Sequence, residues 1–462
     1  MTPITFGTSG WRAVLAEDFT FANARRVMAG VSATLKQAGR SGQLVLVGYD
    51  TRFLAERFAA EACRILLDAG FQAETASRPV PTPVLAFEIS RRKAAGAVNF
   101  TASHNPPQYL GIKFSTSDGA PALPEVTKVI EGHVATIESF PAPAAGSVPL
   151  FDPVPVYLAD LATKVRAADA SRGGPHFSLD MRFGTAAGFL DVFLSRAGAA
   201  LSLLNANRDP LFGGLSPQCG EKELVALSEE VKRRSSRLGL SCDGDADRFG
   251  VLDETGAYVQ PNEILALLAR DLLGRKGRRG GIARSVATTH ALDAVAKEFG
   301  VPLYETPVGF KYIGELLIEG KIILGGEESA GLTVEGHVPE KDGILADLLV
   351  AEMVGAAGKP LTALSADLSK AIGPYLTRRV DVKASPEEKA ALARRRKDPP
   401  STFAGRKVDS VNLLDGLKLL LDDGSWILVR ESGTEPVARV YVEAHTRKDL
   451  DALAAAGPEL LA

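Results

Sequence analysis

Asn99-Phe100-Thr101-Ala102-Ser103-His104-Asn105-Pro106-Pro107 closes a small, apolar run that starts at Ala94 and contains Gly96 and Val98. The run suits a short buried strand over residues 94–100, and Asn105-Pro106-Pro107 denies the chain any helix or ladder continuation. Ser103 is therefore predicted in a stiff turn just past the C-terminal end of a strand. In open α/β sheets ligands bind at that place, and a fixed loop there suits a nucleophile or a phosphate carrier. Ser, His and Asn are also ordinary turn formers ahead of proline, so the stretch by itself leaves both readings open.

On either side of this loop the chain alternates strands and helices. Residues 44–49 read as a strand, residues 55–69 carry helical spacing through Phe58, Cys63, Leu66 and Leu67 up to Gly70, and residues 79–83 break the chain before another helix. A Pro-, Ala- and Gly-rich passage over 139–155 reads as a linker. Helix 156–168, strand 177–181, helix 185–197, strand 199–204 and helix 221–238 follow. A third unit opens near Glu254 with helix 262–273, strand 282–287, helix 291–299, strand 322–325 and helix 344–355. Residues 359–374 read as a boundary, after which strands 378–382, 426–430 and 438–444 with terminal helices make a smaller α+β unit. The expected fold class is α/β, with units over 1–145, 146–253, 254–366 and 367–462. No short sequence period is visible, but α/β units of similar size suggest structural repetition without sequence repetition.

A chain of 462 residues is long enough for three or four domains of about 100 to 200 residues each. Its 45% hydrophobic and 24% charged residues fit a soluble globular protein, and a net charge of −3 supplies no global field for nucleic acid or anionic membrane. The basic runs Arg275-Lys276-Gly277-Arg278-Arg279 and Arg394-Arg395-Arg396-Lys397 carry no interleaved aromatic residues for base stacking and read as solvated surface. Cys63, Cys219 and Cys242, odd in number and far apart, form neither a disulfide framework nor a zinc set, which fits a reducing cytoplasm. No signal peptide or membrane span is expected, since the most apolar runs, 264–273 and 344–354, are interrupted by charged residues.

Three further stretches carry chemistry. Asp243-Gly244-Asp245-Ala246-Asp247-Arg248 puts carboxylates at i, i+2 and i+4 of an extended loop, on one edge, with only Gly and Ala between them. Without a cation they would repel one another, so Asp243, Asp245 and Asp247 are read as ligands of a divalent metal. A helix-loop-helix calcium loop also begins Asp-x-Asp-x-Asp and would find its twelfth-position carboxylate in Glu254. Its sixth position wants Gly and is Arg248 here, and the flanks read as strands, so magnesium completed by a phosphate oxygen is the better reading. Gly325-Gly326-Glu327-Glu328-Ser329-Ala330-Gly331 follows a strand and, if extended, puts Glu327 and Ser329 on one side, where they offer acceptors to a sugar diol. Arg430-Glu431-Ser432-Gly433-Thr434-Glu435-Pro436 also follows a strand. Its Arg, two hydroxyls and exposed glycine backbone make an anion nest for a phosphate.

Taken in order, Thr101-Ala102-Ser103-His104-Asn105-Pro106, Asp243 to Arg248, Gly326 to Ser329 and Arg430 to Pro436 resemble the motifs of the α-D-phosphohexomutase family. The opening Phe6-Gly7-Thr8-Ser9-Gly10-Trp11-Arg12 resembles that family's N-terminus as well. The resemblance spans nearly the whole chain and implies four domains around a central cleft, three related α/β domains and a smaller C-terminal α+β one, each giving one loop to the site. It implies that Ser103 is a phosphoserine, that Asp243, Asp245 and Asp247 hold Mg2+ against its phosphate, so that Ser103 also enters the metal site, and that Lys113 is a general acid/base. It further implies that Arg12, His104 and Arg248 support the phosphoryl group, that Glu327, Ser329 and Lys341 meet the sugar, and that Arg430, Ser432, Gly433 and Thr434 hold the phosphate that is not being transferred. Within the family the chain looks most like phosphoglucomutases: Glu327-Glu328-Ser329 resembles their sugar loop, where bifunctional phosphomannomutases and phosphoglucosamine mutases tend to place Met or Gln in the middle. Phe310 in Val308-Gly309-Phe310-Lys311 stands where bifunctional members usually have His, and Ser9-Gly10-Trp11 replaces the commoner Asp-Gly-Ile. Both departures bear on mannose activity rather than on the mutase reaction.

The implied activity is that of a cytoplasmic phosphoglucomutase, an isomerase of carbohydrate metabolism acting on sugar phosphates as a monomer or dimer. Glucose 1,6-bisphosphate would be its intermediate and activator; phosphomannomutase and phosphoglucosamine mutase are the family alternatives. Such transfer needs positioning and charge neutralisation, with domain closure to keep water out. For Lys113 to act as a base near neutral pH, its pKa should be depressed by burial or neighbouring cations. Two readings of other classes are a metal-dependent phosphatase using Ser103, which needs no loop for a distal phosphate, and a calcium-dependent carbohydrate-binding protein without turnover. Neither explains Lys113 and Arg430.

Overall fold

The computed structural model describes residues 4–7, 10–431 and 437–461. Its strands form four sheets, and the first three share one topology. In the first, Leu44–Tyr49 lies between Gln72–Ala76 and Gly96–Phe100, parallel to both, and Gly96–Phe100 pairs on its other side with the antiparallel Tyr109–Thr116. In the second, His176–Asp180 lies between Ala200–Leu204 and Leu238–Cys242, and Leu238–Cys242 pairs with the antiparallel Phe249–Leu252. In the third, Gly281–Ser285 lies between Leu303–Thr306 and Ile322–Glu327, and Ile322–Glu327 pairs with the antiparallel Gly331–Val334. The turn at which each sheet changes from parallel to antiparallel holds, in chain order, Ser103, the three carboxylates from Asp243 to Asp247, and Ser329. Structure repeats here although sequence does not. The fourth sheet, from Leu376–Lys383 to Thr402–Phe403, is antiparallel throughout.

The central strand of the first sheet is apolar on both faces because both faces are covered. Along Leu44–Tyr49, Val45 and Val47 pack with Val27, Met28 and Phe58 of the helices Phe21–Gln37 and Ala55–Asp68. Leu46, pointing the other way, joins Val84, Leu85 and Ile89 of the helix Thr82–Arg92. That second face belongs to one core that continues through Phe177 and Leu240 of the second sheet to Leu267 and Leu348 beside the third, so the three units are packed as one block. The fourth sheet has its own core and meets the third through Val286, Ala287, Trp426, Leu428 and Tyr441.

Several elements differ from the periodicity reading. The helix expected over 221–238 is Val225–Arg234, because Ser235 turns left-handed (φ 51°) and releases Leu238–Cys242 to the sheet. The helix expected over 185–197 is Leu190–Arg196, preceded by turns around Gly188 (φ 86°). The helix expected over 156–168 is Val154–Lys164 followed by the short Ala167–Ala170, with extended Val165 after the first. Residues 359–374, read as a boundary, contain the helix Leu361–Ile372, which runs across position 366 and packs on Pro261–Leu273 and Ala291–Phe299. The Glu254 carboxylate accepts hydrogen bonds from the N–H of Leu361 (3.1 Å) and the Thr362 hydroxyl. It therefore caps that helix's N-terminus instead of completing a calcium loop. No helix among the described residues is long and apolar enough to cross a membrane.

Candidate active site

Ser103 is buried and left-handed (φ 50°), a conformation that a residue with a Cβ keeps only when its surroundings impose it. What imposes it is Asp50-Thr51-Arg52, directly after the strand Leu44–Tyr49. Asp50 accepts from the Thr101 hydroxyl (2.7 Å), from Arg52 Nε (3.0 Å) and from the Arg52 backbone N–H (2.9 Å). Thr101 Oγ1 in turn accepts from the Ser103 N–H at 2.9 Å. The remaining guanidinium N–H groups of Arg52 reach four loop carbonyls, those of Ser103 (2.7 Å), Asn105 (2.6 Å), Pro106 (2.8 Å) and Tyr109 (2.9 Å). With Nε on Asp50, every donor of the planar fork is engaged. The same Asp-x-Arg device recurs after the first strand of the second unit. The Arg182 N–H and Nη1 lie 2.9 and 3.3 Å from Asp180, and the guanidinium also donates to the carbonyls of Glu223 (3.2 Å) and Ser216. The carbonyl of the next residue, Pro217, accepts from the Gly244 N–H at 3.0 Å, so this second brace backs the carboxylate loop. Asp50-x-Arg52 and Asp180-x-Arg182 each end an apolar strand; that recurrence was the signal in the sequence.

The serine and carboxylate loops meet backbone to backbone. A Cβ on Gly244 would lie 2.7 Å from the Ser103 carbonyl oxygen, so glycine is required there. Ser103 Oγ donates to Asp243 Oδ2 at 2.8 Å, and Asp243 Oδ1 accepts from the N–H groups of Asp247 and Arg248, both at 3.1 Å. Asp245 Oδ2 accepts from the Thr82 hydroxyl and from Lys113 Nζ, each at 2.6 Å; Thr82 carried no motif signal. Asp247 Oδ2 accepts from Lys113 Nζ at 3.0 Å and pairs with Lys341 Nζ at 3.3 Å. One oxygen from each of the three carboxylates lies within 4.8 Å of the others, and Asp245 Oδ1 and Asp247 Oδ1 are buried without a hydrogen-bond partner. Hard, clustered, unsatisfied oxygens are what a divalent cation such as Mg2+ takes, so the residues present fit that ion.

Burial, and then the charges of Asp247 and Asp245, push the Asp243 carboxyl up to about 8. Burial also opposes ionisation of Asp247, but Lys113, Lys341 and Arg248 outweigh it and hold that carboxyl well below its usual range. A cation bound at neutral pH must therefore expel the Asp243 proton. Mg2+ affinity is expected to rise about tenfold per pH unit up to about pH 8 and to level off above it. Calorimetric titrations in buffers of different ionisation enthalpy read the proton directly, and no release at pH 7 would show that Asp243 is not a ligand.

Lys113, on Tyr109–Thr116, corrects one expectation. Burial works against its charge, yet Asp245 and Asp247 overcome this and raise its pKa rather than depress it. Neither its strand nor the two carboxylates that it meets, some 130 residues away (separations 132 and 134), was read from the sequence. Arg12 donates to Asn105 Oδ1 at 2.5 Å. His104 Nδ1 is 3.4 Å from Ser103 Oγ, and Arg248, then burial, then Arg12 hold the imidazole well below its usual pKa and so neutral. Arg248 Nε is buried without a hydrogen-bond partner, 3.9 Å from Asp247 Oδ1. Arg248 and Arg12 thus place positive charge around His104, the neighbour of Ser103 Oγ, where it would offset a phosphoryl dianion.

The third loop is not extended. Glu327 ends the strand Ile322–Glu327, and residues 328–330 form a tight turn with Ala330 at φ 69°, so Ser329 lies in the turn and Glu327 in the sheet. Glu327 Oε1 accepts from the Gly309 N–H at 2.7 Å, and burial followed by the charge of Glu328 raises its carboxyl to about 7. Glu328 accepts from Ser285 (3.3 Å) and Thr288 (3.2 Å). Lys341 Nζ bonds Glu340 at 2.8 Å and lies 5.2 Å from the Phe310 ring, a cation–π contact. Arg430 pairs with Asp415 Oδ2 at 2.9 Å, and the same oxygen accepts from the Val308 N–H at 3.0 Å. Arg430, Asp415, Val308-Gly309 and Glu327 therefore link the fourth unit to the third. Arg430 Nε is buried and without a hydrogen-bond partner among the described residues, and Ser432, Gly433 and Thr434 lie outside them.

Residues 3–140 match phosphoglucomutase/phosphomannomutase alpha/beta/alpha domain I, 155–256 match domain II, 260–371 match domain III, and 379–457 match the C-terminal domain. A phosphoglucomutase/phosphomannomutase of Thermococcus kodakarensis is 30% identical over 447 residues, 96% of this chain and 95% of its own. A phosphoglucosamine mutase of Caldicellulosiruptor saccharolyticus is 30% identical over 463 residues, 97% of each chain. The crystal structure of a Thermus thermophilus protein assigned as a phosphomannomutase superposes with a TM-score of 0.87 at 35% identity, over 100% of this chain and 99% of that one.

Proposed function

Because the chain belongs to the phosphoglucomutase/phosphomannomutase family of phosphohexomutases, isomerases of carbohydrate metabolism, we propose that it is a phosphoglucomutase. It interconverts α-D-glucose 1-phosphate and glucose 6-phosphate through phosphorylated Ser103, with glucose 1,6-bisphosphate as intermediate and activator, in the cytoplasm. The observation that carries this reading is Ser103 Oγ, braced in a left-handed turn and 2.8 Å from Asp243 within the carboxylate cluster. In the first transfer the Ser103 Oγ–P bond breaks and a bond from phosphorus to the free sugar hydroxyl forms, while the hydroxyl proton ends on Ser103 Oγ. Lys113, charged beside Asp245 and Asp247, relays it by giving one proton to Ser103 Oγ as it takes the other from the sugar hydroxyl. In the return transfer the other phosphate passes back to Ser103 and its sugar oxygen recovers a proton. Arg12, Arg248 and neutral His104 surround the phosphoryl group, and Asp243, Asp245 and Asp247 would hold Mg2+, which would supply charge neutralisation. Glu327, Ser329 and Lys341 hold the sugar, and Arg430 with Ser432, Gly433 and Thr434 holds the distal phosphate. Four units each bring one loop, with edges near 145, 253 and 366, the third continuing along its helix to Ile372.

The relatives carry names for glucose, mannose and glucosamine activities. Glucose is favoured here by Phe310, which offers a π face to Lys341 where an imidazole would offer a polar edge, and by the turn that Glu328 holds through Ser285 and Thr288. Coupled assays on the 1-phosphates of glucose, mannose and glucosamine test this. The expected kcat/KM is at least about tenfold higher for glucose. A higher value for either other sugar would reassign the substrate, and net phosphate release would replace the mutase reading with a phosphatase.

A further inference from the structure

The basic run Arg275-Lys276-Gly277-Arg278-Arg279 is not merely solvated surface. A cavity of about 500 Å³ lies between the second and third units, and none of the residues that line it belongs to the site around Ser103. Lys164, Arg166 and Arg172 face it from the second unit and Arg275, Lys276 and Arg278 from the third; Asp169 is the one carboxylate in its wall. Among the described residues five carboxylates serve these six cations, with Asp160 pairing Lys164 (2.5 Å) and Glu335 pairing Arg278 (3.1 Å). Glu352, fully buried, holds Lys276 (2.6 Å) and Arg275 (3.4 Å), and Asp271 takes two bonds from Arg275 (2.6 and 2.7 Å). Asp169 pairs with Arg172 (2.5 Å) and Arg166 (3.5 Å) and lies 4.0 Å from Arg275. The two units are also tied here by Lys276 Nζ on the Lys164 carbonyl (3.3 Å).

Glu352 and Asp271 hold Arg275 and Lys276 in place, which lowers the ordering cost of binding an anion there. Arg166 and Arg172, with Asp169 as their one carboxylate partner among the described residues, keep much of their donor capacity for a second anion. The volume suits a small ligand. No aromatic side chain is among the lining residues, so nothing stacks on a nucleobase. We propose that this cavity is a second anion site, separate from the catalytic cleft, for a compact molecule carrying two or more phosphate groups and no aromatic base. Such a ligand would bridge the second and third units.

Calorimetric titration of inorganic tripolyphosphate, and separately of fructose 1,6-bisphosphate, into the whole protein and into the R166A/R172A/R278A variant tests the site. The three side chains are 77%, 61% and 51% exposed, so their truncation spares the packed core. Binding should weaken at least tenfold in the variant, with mutase kcat/KM unchanged in the absence of added polyanion. The charge-preserving R166K/R172K/R278K variant should recover part of the affinity, which a merely damaged fold would not. Tighter binding of one probe than of the other tells a free polyphosphate from a sugar bisphosphate as the source. Equal affinity in wild type and the alanine variant, or affinity lost when Asp243→Asn alters the catalytic loops alone, would put the anion in the cleft and overturn the proposal. So would ATP binding more tightly than tripolyphosphate.

Discussion

Ser103→Ala is expected to lower kcat for glucose 1-phosphate isomerisation by about four orders of magnitude or more, the scale seen when a covalent nucleophile is removed. The neighbouring hydroxyls are engaged elsewhere: Thr101 Oγ1 is committed to Asp50 and to the Ser103 N–H, and the Thr82 hydroxyl donates to Asp245. The loop itself should survive, since it is held through the Ser103 main chain, its carbonyl to Arg52 and its N–H to Thr101. The thermal midpoint of the variant should therefore stay within a few degrees of wild type. Intact mass should show a phosphorylated fraction in wild type and none in the variant. Wild-type turnover by S103A in the presence of glucose 1,6-bisphosphate would remove Ser103 from the reaction.

Arg52→Met should be the most damaging single change to the site's architecture. It strands the fully buried Asp50 carboxylate and releases four loop carbonyls at once. Breaking a buried ion pair by removing one partner costs about 3–5 kcal/mol. Because the protein has several units, the loss is best read locally, as faster amide hydrogen exchange over residues 101–109 together with a lower urea midpoint for the first unit. Turnover should fall by about 100-fold as well, since a displacement of about 1 Å in a reacting group has that effect. Arg52→Lys should recover little, because an ammonium cannot span Asp50 and four carbonyls. Unchanged exchange over the loop would mean that the turn is held by its prolines and Thr101 alone.

Much of the site was legible because its signals are local. Two prolines after Asn105 stop the chain where Ser103 is needed, and carboxylates at i, i+2 and i+4 mark the cation cluster wherever the loop goes. The apolar run at 44–49 marks a covered parallel strand, and the strand expected over 282–287 is Gly281–Ser285. Errors came where a local pattern had two continuations. The helical spacing over 221–238 continues past Arg234 on paper, but Ser235 turns left-handed and the sheet claims Leu238–Cys242. Glu327 and Ser329 share a side only in an extended loop, and the antiparallel return of Gly331–Val334 forces a tight turn instead.

By itself the sequence determined the α/β class, the serine loop, the carboxylate cluster and the basic run at 275–279, since each follows from residues adjacent in the chain. The protonation of those groups, and their partners, was decided only by tertiary structure. Ser103 meets Asp243 from 140 positions away, and Lys113 meets Asp245 from 132, which holds a buried lysine charged where a depressed pKa was expected. Glu254 is drawn off to cap a helix that starts 107 positions later. The basic run gains Arg166 and Arg172 only across the contact between two units. A pKa, a cation cage and a cavity are sums over charges and surfaces brought together by packing, and packing at those separations leaves no periodicity or spacing in the chain to read.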